Sequence, residues 1–352
     1  MEKNSEFIER HLDKVSRSFA FCIRQLPEPL HLWVGISYLL CRIVDTVEDS
    51  EFSDLNHQLE AFDWFDRSIT EHKSNLEMYQ YPQNLLPAGI SEGEADLLRE
   101  SARVFEVFWS MDETARDRVS KLAHSMSLGM RHFRTRSQEG LRLKNLKEVN
   151  QYCFFVAGLV GEMLVGFVSQ VEPRFPMSVS QVLKAHHFGL FLQKVNLLKD
   201  QLKDQKLGRF LVPSRGEVES SARENAGQAF LFLTDLPLEQ MEFRRFCAWS
   251  LFMGIESLKA ASTGFRKGLS QKMSRPQTEA LLMEVEERLG DNSRLKELFE
   301  SSSKGLGWVE APDFKSLSAV REAESSEKAP GWFFQLYQGA LPAQDFSALG
   351  IV

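Results

Sequence analysis

The residues best suited to chemistry are the acids that end an otherwise apolar stretch, residues 34–49. At 3.6 residues per turn, Asp45 and Glu48 share one helix face and Asp49 lies beside them. Carboxylates this close repel one another and gain nothing from a hydrocarbon core, so they need either water or bound cations. The same face begins with apolar and aromatic side chains and is flanked by a cation: Val34, Tyr38, Cys41 and Arg42.

A second polar face is predicted within residues 188–204. Amides and acids recur there at steps of three and four between leucines, so they share one side of a helix: Gln193, Asn196, Asp200 and Asp204. Such groups on a buried helix are costly unless a polar ligand or ions satisfy them. Taken alone, the pattern fits a ligand site and a solvated face equally well.

Two such helices in one chain favour the ligand site. Asp45 and Asp49 are spaced i and i+4, as are Asp200 and Asp204. Paired carboxylates are hard oxygen ligands, and Mg²⁺ shares its coordination shell with substrate phosphates. The sequence therefore predicts binding of Mg²⁺ together with a diphosphate. It has no HExxH, GxGxxG, P-loop or GxSxG motif, and its eight His show no metal-ligand spacing.

Composition narrows the class of protein. The chain has 352 residues, a net charge of −7 and no long basic block, which argues against nucleic acid as a partner. The four cysteines form no CxxC pair and are expected to be buried reduced thiols, which favours a cytoplasmic location. The N-terminus lacks the apolar core of a secretory signal.

No transmembrane segment is predicted. The longest apolar stretch, residues 153–168, is about one turn short of the roughly 20 residues that a bilayer needs, and Glu162 lies within it. We expect a buried helix there. The aromatic tail, which contains Trp332 and Phe333, fits a clasp on the core or a peripheral contact with the inner face of a membrane.

Helical periodicity covers most of the chain, and alternating β-branched runs are missing. The pattern predicts an all-α protein with one catalytic domain, residues 1–290, and a C-terminal extension, residues 291–352, packed on it. Residues 92–109 are predicted as one helix and residues 214–229 as a polar loop. The helical signal weakens after Gly290.

Five segments resemble, in order, the signature segments of squalene synthases, which belong to the squalene/phytoene synthase family. They are SRSF (16–19), YLLCRIVDTVED (38–49), YCFFVAGLVGE (152–162), QKVNLLKDQLKDQKLGR (193–209) and FCA (246–248). The resemblance spans residues 15–268. The eukaryotic C-terminal membrane anchor has no counterpart, so the chain resembles a bacterial-type enzyme.

The resemblance implies a helical isoprenoid-synthase bundle around a central cavity. It also implies that two farnesyl diphosphates are joined into presqualene diphosphate, which is reduced with NADPH to squalene. By the same resemblance Mg²⁺ would be bound by Asp45, Glu48, Asp49, Asp200 and Asp204. Tyr152 matches the catalytic tyrosine.

Other roles are also implied by the resemblance alone. Further catalytic candidates are Tyr38, Arg42, Lys199 and Arg209. NADPH and diphosphate would be bound by Ser16, Arg17, Ser18, Arg42 and Asn196, although Ser16 to Ser18 would also suit a helix start. The substrate cavity would be lined by Phe19, Val156, Leu159, Gln193 and Phe246, and for the two phenylalanines a plain core role is equally compatible.

Some positions depart from the squalene synthase pattern. Where RDYLED is usual, this chain has KDQLKD (199–204), which loses the arginine and the middle acid, and Ser50 stands where an acid is frequent. Lys199 keeps the charge without the bidentate geometry of arginine. Glu162 is more reminiscent of dehydrosqualene and phytoene synthases, which need no NADPH. A non-catalytic isoprenoid-binding scaffold is the alternative of another class.

Overall fold

The structure is a computed structural model that describes residues 2–16, 18–135, 141–175, 177–266 and 273–304. Within these ranges the chain forms α-helices with short 3₁₀ and π turns. The extended contacts among them are two isolated bridge pairs, Glu51 with Ala88 and Arg142 with Phe210. The all-α prediction is confirmed. The chain divides into two compact units, Met1–Thr135 and Arg136–Val352, and the predicted domain boundary at residue 290 stays a prediction.

The first unit is organised around the helix that carries the first acidic face. Its helices are α1 (Asn4–Val15), α2 (Ser18–Ile23), α3 (Leu30–Asp49), α4 (Leu55–Thr70), α5 (Glu92–Arg99), α6 (Ser101–Trp109) and α7 (Glu113–Thr135). α3 packs against α1, α4, α5, α6 and α7. Most of its side chains are therefore buried, from Leu30 to Glu48. The C-terminal end of α3 is tied to α4 by Gln58, whose amide donates to the carbonyls of Val47 and Glu48 at 2.8 and 3.1 Å.

The second unit is organised in the same way around α10. Its helices are α8 (Leu146–Cys153), α9 (Leu159–Val171), α10 (Val179–Lys206), α11 (Arg215–Asp235), α12 (Met241–Arg266), α13 (Arg275–Glu286) and α14 (Asn292–Lys304). A π-helical segment, Phe154–Gly158, joins α8 to α9. α10 packs against α8, α9, α11, α12 and the π segment.

Two glycines let the backbones of this unit approach closely. A Cβ on Gly189 of α10 would lie 2.1 Å from the Ala157 carbonyl oxygen, and one on Gly161 of α9 would lie 2.1 Å from that of Ala185. Real Cβ atoms cannot occupy such positions, so only glycine fits at either site. α10 thus lies directly against the π segment at Gly189 and directly against α9 at Gly161.

The predicted loop at residues 214–229 is wrong. These residues lie in α11, which packs along α10. The segment reads as polar because its buried side is built mainly from small residues at helical spacing: Val218, Ala222, Ala226 and Ala229. Their small size gives a weak hydrophobic signal but permits close helix packing.

Other helix boundaries also differ from the predicted ones. Residues 92–109 form two helices that meet at Glu100, and the weak signal after Gly290 conceals α14. α14 buries Leu295, Leu298 and Phe299 and packs on α12. The aromatic tail, including Trp332 and Phe333, lies outside the described residues.

Two helical stretches, Leu30–Asp49 and Leu146–Val171, have 20 and 26 residues and are long and apolar enough to cross a membrane. In each, 72% of the most apolar window is buried inside the protein. The predicted apolar stretch, residues 153–168, lies within the second of them. Its expected burial agrees with the structure.

Candidate functional site

The acidic end of α3 is open on one side only. Tyr38, Cys41, Arg42 and Asp45 are half-buried and Asp49 is exposed, whereas the residues between them are buried. These five positions recur at helical spacing, so the shared face predicted from the sequence is present. Val34 and Glu48, predicted on the same face, are buried at 5% exposure each. Burial, and next to it the charge of Asp45, raises the pKa of the Cys41 thiol to about 12, so this cysteine is a neutral side chain within the face.

Arg42 lies between two carboxylates from different helices. Its Nη1 donates to Asp45 Oδ2 at 2.8 Å, and its Nη2 donates to Glu94 Oε1 of α5 at 2.9 Å. Burial opposes the charge of Arg42, but attraction to Asp45, Tyr38 and Glu94 outweighs it and raises the pKa of the guanidinium. Arg42 is therefore a fixed positive charge beside the Asp45 carboxylate.

Residues of two predicted segments, Ser16 and Phe19 of SRSF and Tyr38 of α3, meet next to this pair. The Tyr38 ring lies 6.0 Å from the Phe19 ring between centroids, and its hydroxyl is hydrogen-bonded to the Ser16 side chain. Burial raises the pKa of Tyr38, although Ser16 and Arg42 act in the opposite direction. Ser16 Oγ also accepts from the Phe19 N–H at 3.2 Å, so it caps α2 as well. Arg17 and the Ser18 side chain lie outside the described residues.

In the second unit, α10 presents the second polar face. Gln193, Asn196, Lys199 and Asp200 are half-buried within a largely buried helix. Lys199 Nζ donates to Asn196 Oδ1 at 2.9 Å and lies 3.7 Å from Asp200 Oδ2. The Asp200 side chain is 41% exposed, so its carboxylate is open to a ligand.

Asp204 differs from Asp200 in being buried, at 5% exposure. It is paired with Arg209, whose Nη2 donates to Asp204 Oδ1 at 2.6 Å. Gly208 makes this pair possible because its φ of 75° reverses the chain after α10. The Arg209 N–H then also returns to the Asp204 carbonyl at 2.9 Å. The predicted metal ligand Asp204 and the predicted catalytic candidate Arg209 thus form a pair within this unit.

Tyr152 lies one residue before the end of α8 and is only 4% exposed. It directly precedes the Cys153–Phe154 junction with the π segment, a kind of helix distortion that is frequent at functional sites. The expected cavity residues differ in burial. Val156 and Gln193 are half-buried, Leu159 is buried, and Phe246 is buried with its ring stacked 5.8 Å from that of Phe243.

A buried polar network adjoins the α10 face. Lys194 is fully buried, and its Nζ donates to Ser221 Oγ at 2.7 Å and Asn225 Oδ1 at 2.6 Å. Both partners are neutral, and burial lowers the pKa of Lys194 to about 8. The Asn225 amide is within 2.8 Å of His187 Nδ1, and burial, then Lys194, lowers the pKa of that histidine to about 3. His187 is therefore a neutral acceptor.

Glu94 and Lys194 were missed by sequence reasoning. Ser91 and Glu94 do show the S-x-x-E pattern of a capping box, but that pattern predicts a helix start and not a partner for Arg42. Lys194 stands next to Gln193 in the sequence, and a lysine among leucines gives no sign of whether it reaches solvent. Both roles depend on contacts between helices far apart in the chain.

The acids of α3 and α10 suit Mg²⁺ binding together with a ligand better than a site in which protein side chains alone hold a metal ion. Across the described ranges no three His, Cys, Asp or Glu side chains are gathered so as to hold an ion by themselves. Asp45 and Asp200 are instead accessible carboxylates, 31% and 41% exposed. Mg²⁺ keeps several waters and binds through one or two carboxylates together with substrate phosphates. Open carboxylates of this kind suit that mode.

The comparisons with known proteins agree on one family. Residues 12–216 match the family described as squalene/phytoene synthase. The chain is 32% identical over 198 residues to squalene synthase LSS of Botryococcus braunii, covering 56% of this chain and 39% of that protein. It is 28% identical over 276 residues to squalene synthase of Schizosaccharomyces pombe, covering 71% and 58%. The matches thus span less than two thirds of these relatives.

Solved structures show the same fold. TcSQS in complex with the ligand E5700 aligns over 99% of this chain and 98% of that chain, with a TM-score of 0.71 and 19% identity. A dehydrosqualene synthase in complex with a ligand aligns over 81% and 96%, with a TM-score of 0.51 and 19% identity. With more than half of its residues matched to the family, this chain belongs to the squalene/phytoene synthase family.

Proposed function

We propose that the protein is an Mg²⁺-dependent squalene synthase that uses NADPH. It would join two farnesyl diphosphates head to head into presqualene diphosphate and reduce this intermediate to squalene. The observation that carries the proposal is an open carboxylate beside a cation on each helix, Asp45 with Arg42 on α3 and Asp200 with Lys199 on α10. Family membership and relatives named squalene synthase support the same reaction.

The first step needs a diphosphate to leave. When bound, Mg²⁺ supplies positive charge that stabilises the departing diphosphate without donating a proton. The proposed ligands on the two helices are Asp45, Glu48, Asp49, Asp200 and Asp204. Arg42, Lys199 and Arg209 lie beside these acids and would bind phosphate oxygens once the carboxylates hold Mg²⁺.

Closure of the cyclopropane ring in presqualene diphosphate releases a proton. Tyr152 would receive this proton as a phenolate, a form that nearby cations would favour, in a position from which solvent is largely excluded. The apolar walls would be formed by Phe19, Val156, Leu159 and Phe246, with Gln193 at their polar edge. Aromatic faces such as those of Phe19 and Tyr38 stabilise nearby carbocations, and dry walls prevent water from trapping them.

The second step reduces presqualene diphosphate with loss of its diphosphate. When bound, NADPH supplies the hydride. We propose that its binding residues are Ser16, Arg17, Ser18, Arg42 and Asn196. The Ser16 and Arg42 side chains both interact with Tyr38, so they lie together at the upper end of the α3 face.

Incubation of the purified protein with farnesyl diphosphate and Mg²⁺, with and without NADPH, tests this proposal. We expect squalene only when NADPH is present and presqualene diphosphate when it is omitted, as identified by mass spectrometry. Absence of turnover under all conditions would instead support the non-catalytic isoprenoid-binding scaffold.

A second candidate is a dehydrosqualene or phytoene synthase. The feature that favours it is Glu162, which resembles that branch and is buried in a pair with His186 at 3.0 Å between Oε2 and Nε2. The same incubation separates the candidates, because such an enzyme would form dehydrosqualene or phytoene, from its own prenyl diphosphate, whether or not NADPH is present.

A further inference from the structure

Glu94 of α5, which accepts a hydrogen bond from Arg42, is itself held in place by hydrogen bonds. Glu94 Oε2 accepts from the Ser91 N–H at 2.8 Å and the Ser91 hydroxyl at 2.7 Å. The Glu94 N–H in turn donates to Ser91 Oγ at 3.3 Å, which completes a capping box at the start of α5. This leaves Glu94 Oε1 to accept from Arg42 Nη2.

The start of α5 is also fixed in place within its unit. A Cβ on Gly93 would lie 2.7 Å from the Lys14 carbonyl oxygen of α1, so the two backbones are in close contact. Lys14 Nζ is also paired with Asp96 Oδ2 of α5 at 2.6 Å. Glu94 therefore projects toward Arg42 from a rigid helix start and is only 18% exposed. The Glu94 carboxylate is thus held at one place in the unit.

Arg42 and a metal ion would compete for the same carboxylate. Arg42 Nη1 donates to Asp45 Oδ2, so a cation bound by Asp45 would draw on the same negative charge and repel the guanidinium. Cation binding therefore weakens this bond. Leaving a half-buried guanidinium without a carboxylate partner is costly, so the exchange is easier when a second carboxylate retains it.

We propose that Glu94 is a positioning residue for the cation and diphosphate site on α3, because it retains Arg42 when Asp45 exchanges the guanidinium for Mg²⁺. With Glu94 in place, Arg42 stays beside the site as a charge available to a diphosphate oxygen. Without it, the Arg42–Asp45 pair tightens and Mg²⁺ must break a stronger pair. This inference rests on the proposed function.

The variant Glu94→Gln isolates the charge. Glutamine serves at this position of a capping box as glutamate does, so the start of α5 should be preserved. The matched control is Glu106→Gln, which removes the same charge from an ion pair with Arg103 within α6. Ser91→Ala is a second control that weakens the cap and retains the charge of Glu94.

Each full-length protein is titrated with Mg²⁺ in the presence of inorganic pyrophosphate. Binding is measured by isothermal titration calorimetry and by the change in melting temperature. We expect Glu94→Gln to raise the half-saturating Mg²⁺ concentration by about threefold to tenfold, the range for one partly buried charge-assisted hydrogen bond. Glu106→Gln should match the wild type. Ser91→Ala should lower the melting temperature and shift half-saturation less than Glu94→Gln does.

Equal Mg²⁺ half-saturation in Glu94→Gln and wild type would overturn the inference, as would an equal shift in Glu106→Gln. Wild-type protein that binds no Mg²⁺ with pyrophosphate would also overturn it. The proposed function is judged separately, by turnover of farnesyl diphosphate in the wild type. An active wild type with an unshifted Glu94→Gln therefore refutes the role of Glu94 alone.

Discussion

Lys194 should make the stability of the protein depend on pH in a defined way. The ammonium is fully buried on α10 and donates to two neutral oxygens, those of Ser221 and Asn225. Burial lowers its pKa from the ordinary 10.5 to about 8. The difference corresponds to a cost of roughly 3 kcal/mol for keeping the charged form folded at neutral pH.

The direction in which stability changes with pH follows from proton binding. Between these two pKa values the unfolded chain binds more protons at Lys194 than the folded chain does, so the free energy of unfolding rises with pH. The penalty is fully present below pH 8 and disappears as the pH approaches 10.5. From pH 7 to pH 9 the contribution of Lys194 should increase stability by about 1.3 kcal/mol. His187, at about 3, and Cys153, at about 12, titrate outside this window.

The assay is urea unfolding of wild type and Lys194→Met at pH 7, 8 and 9, followed by circular dichroism. Because other groups titrate in both proteins, the difference between them isolates Lys194. Lys203→Met is the matched control, since Lys203 is exposed on the same helix and its variant should run parallel to the wild type. If the difference in unfolding free energy between wild type and Lys194→Met stays constant across this range, the lowered pKa of Lys194 is refuted.

Three further substitutions test separate parts of the structure. Tyr152→Phe should lower turnover of farnesyl diphosphate by about 100-fold with unchanged circular dichroism, since it removes the hydroxyl and keeps the buried ring; near wild-type turnover would exclude it as the proton acceptor. In a urea titration, Gly161→Ala should destabilise the protein by about 2 kcal/mol or more, because its Cβ would meet the Ala185 carbonyl at 2.1 Å. Gly216→Ala is the control and should be nearly neutral, because the space around Gly216 is open. Arg244→Lys should cost about 2 kcal/mol in the same titration, because one ammonium cannot replace the guanidinium bonds to the carbonyls of Leu233, Leu236 and Leu289; an unchanged midpoint would contradict this.

The sequence predicted much of the fold because long helices leave a strong periodic signal. The two polar faces of α3 and α10 are present with the expected spacing. α11 was missed because its packing side is rich in alanine. Hydrophobicity measures the size of the apolar surface, and a small-residue interface contributes little of it even when the helices pack closely.

The site was predicted less completely than the fold. Spacing identified Arg42 and Asp45 as neighbours on one face, and the structure pairs them at 2.8 Å. The spacing gave no sign that Glu94, which is 52 residues away in the chain, would contact Arg42. Nor did spacing distinguish the open Asp200 from the buried Asp204, because that difference depends on the chain reversal at Gly208. Contacts made across tertiary structure are not encoded in a local pattern.

The most direct test of the account is the first half-reaction in wild type, Asp45→Asn and Asp200→Asn, measured as presqualene diphosphate formed from farnesyl diphosphate with Mg²⁺ and without NADPH. Asparagine keeps the shape of each side chain and removes the charge that a hard cation needs. We expect formation by the wild type and a loss of at least about 100-fold in each variant, with unchanged circular dichroism. Wild-type rates in either variant would contradict the assignment of that acid, and wild-type rates in both would contradict Mg²⁺ binding by the acids of α3 and α10.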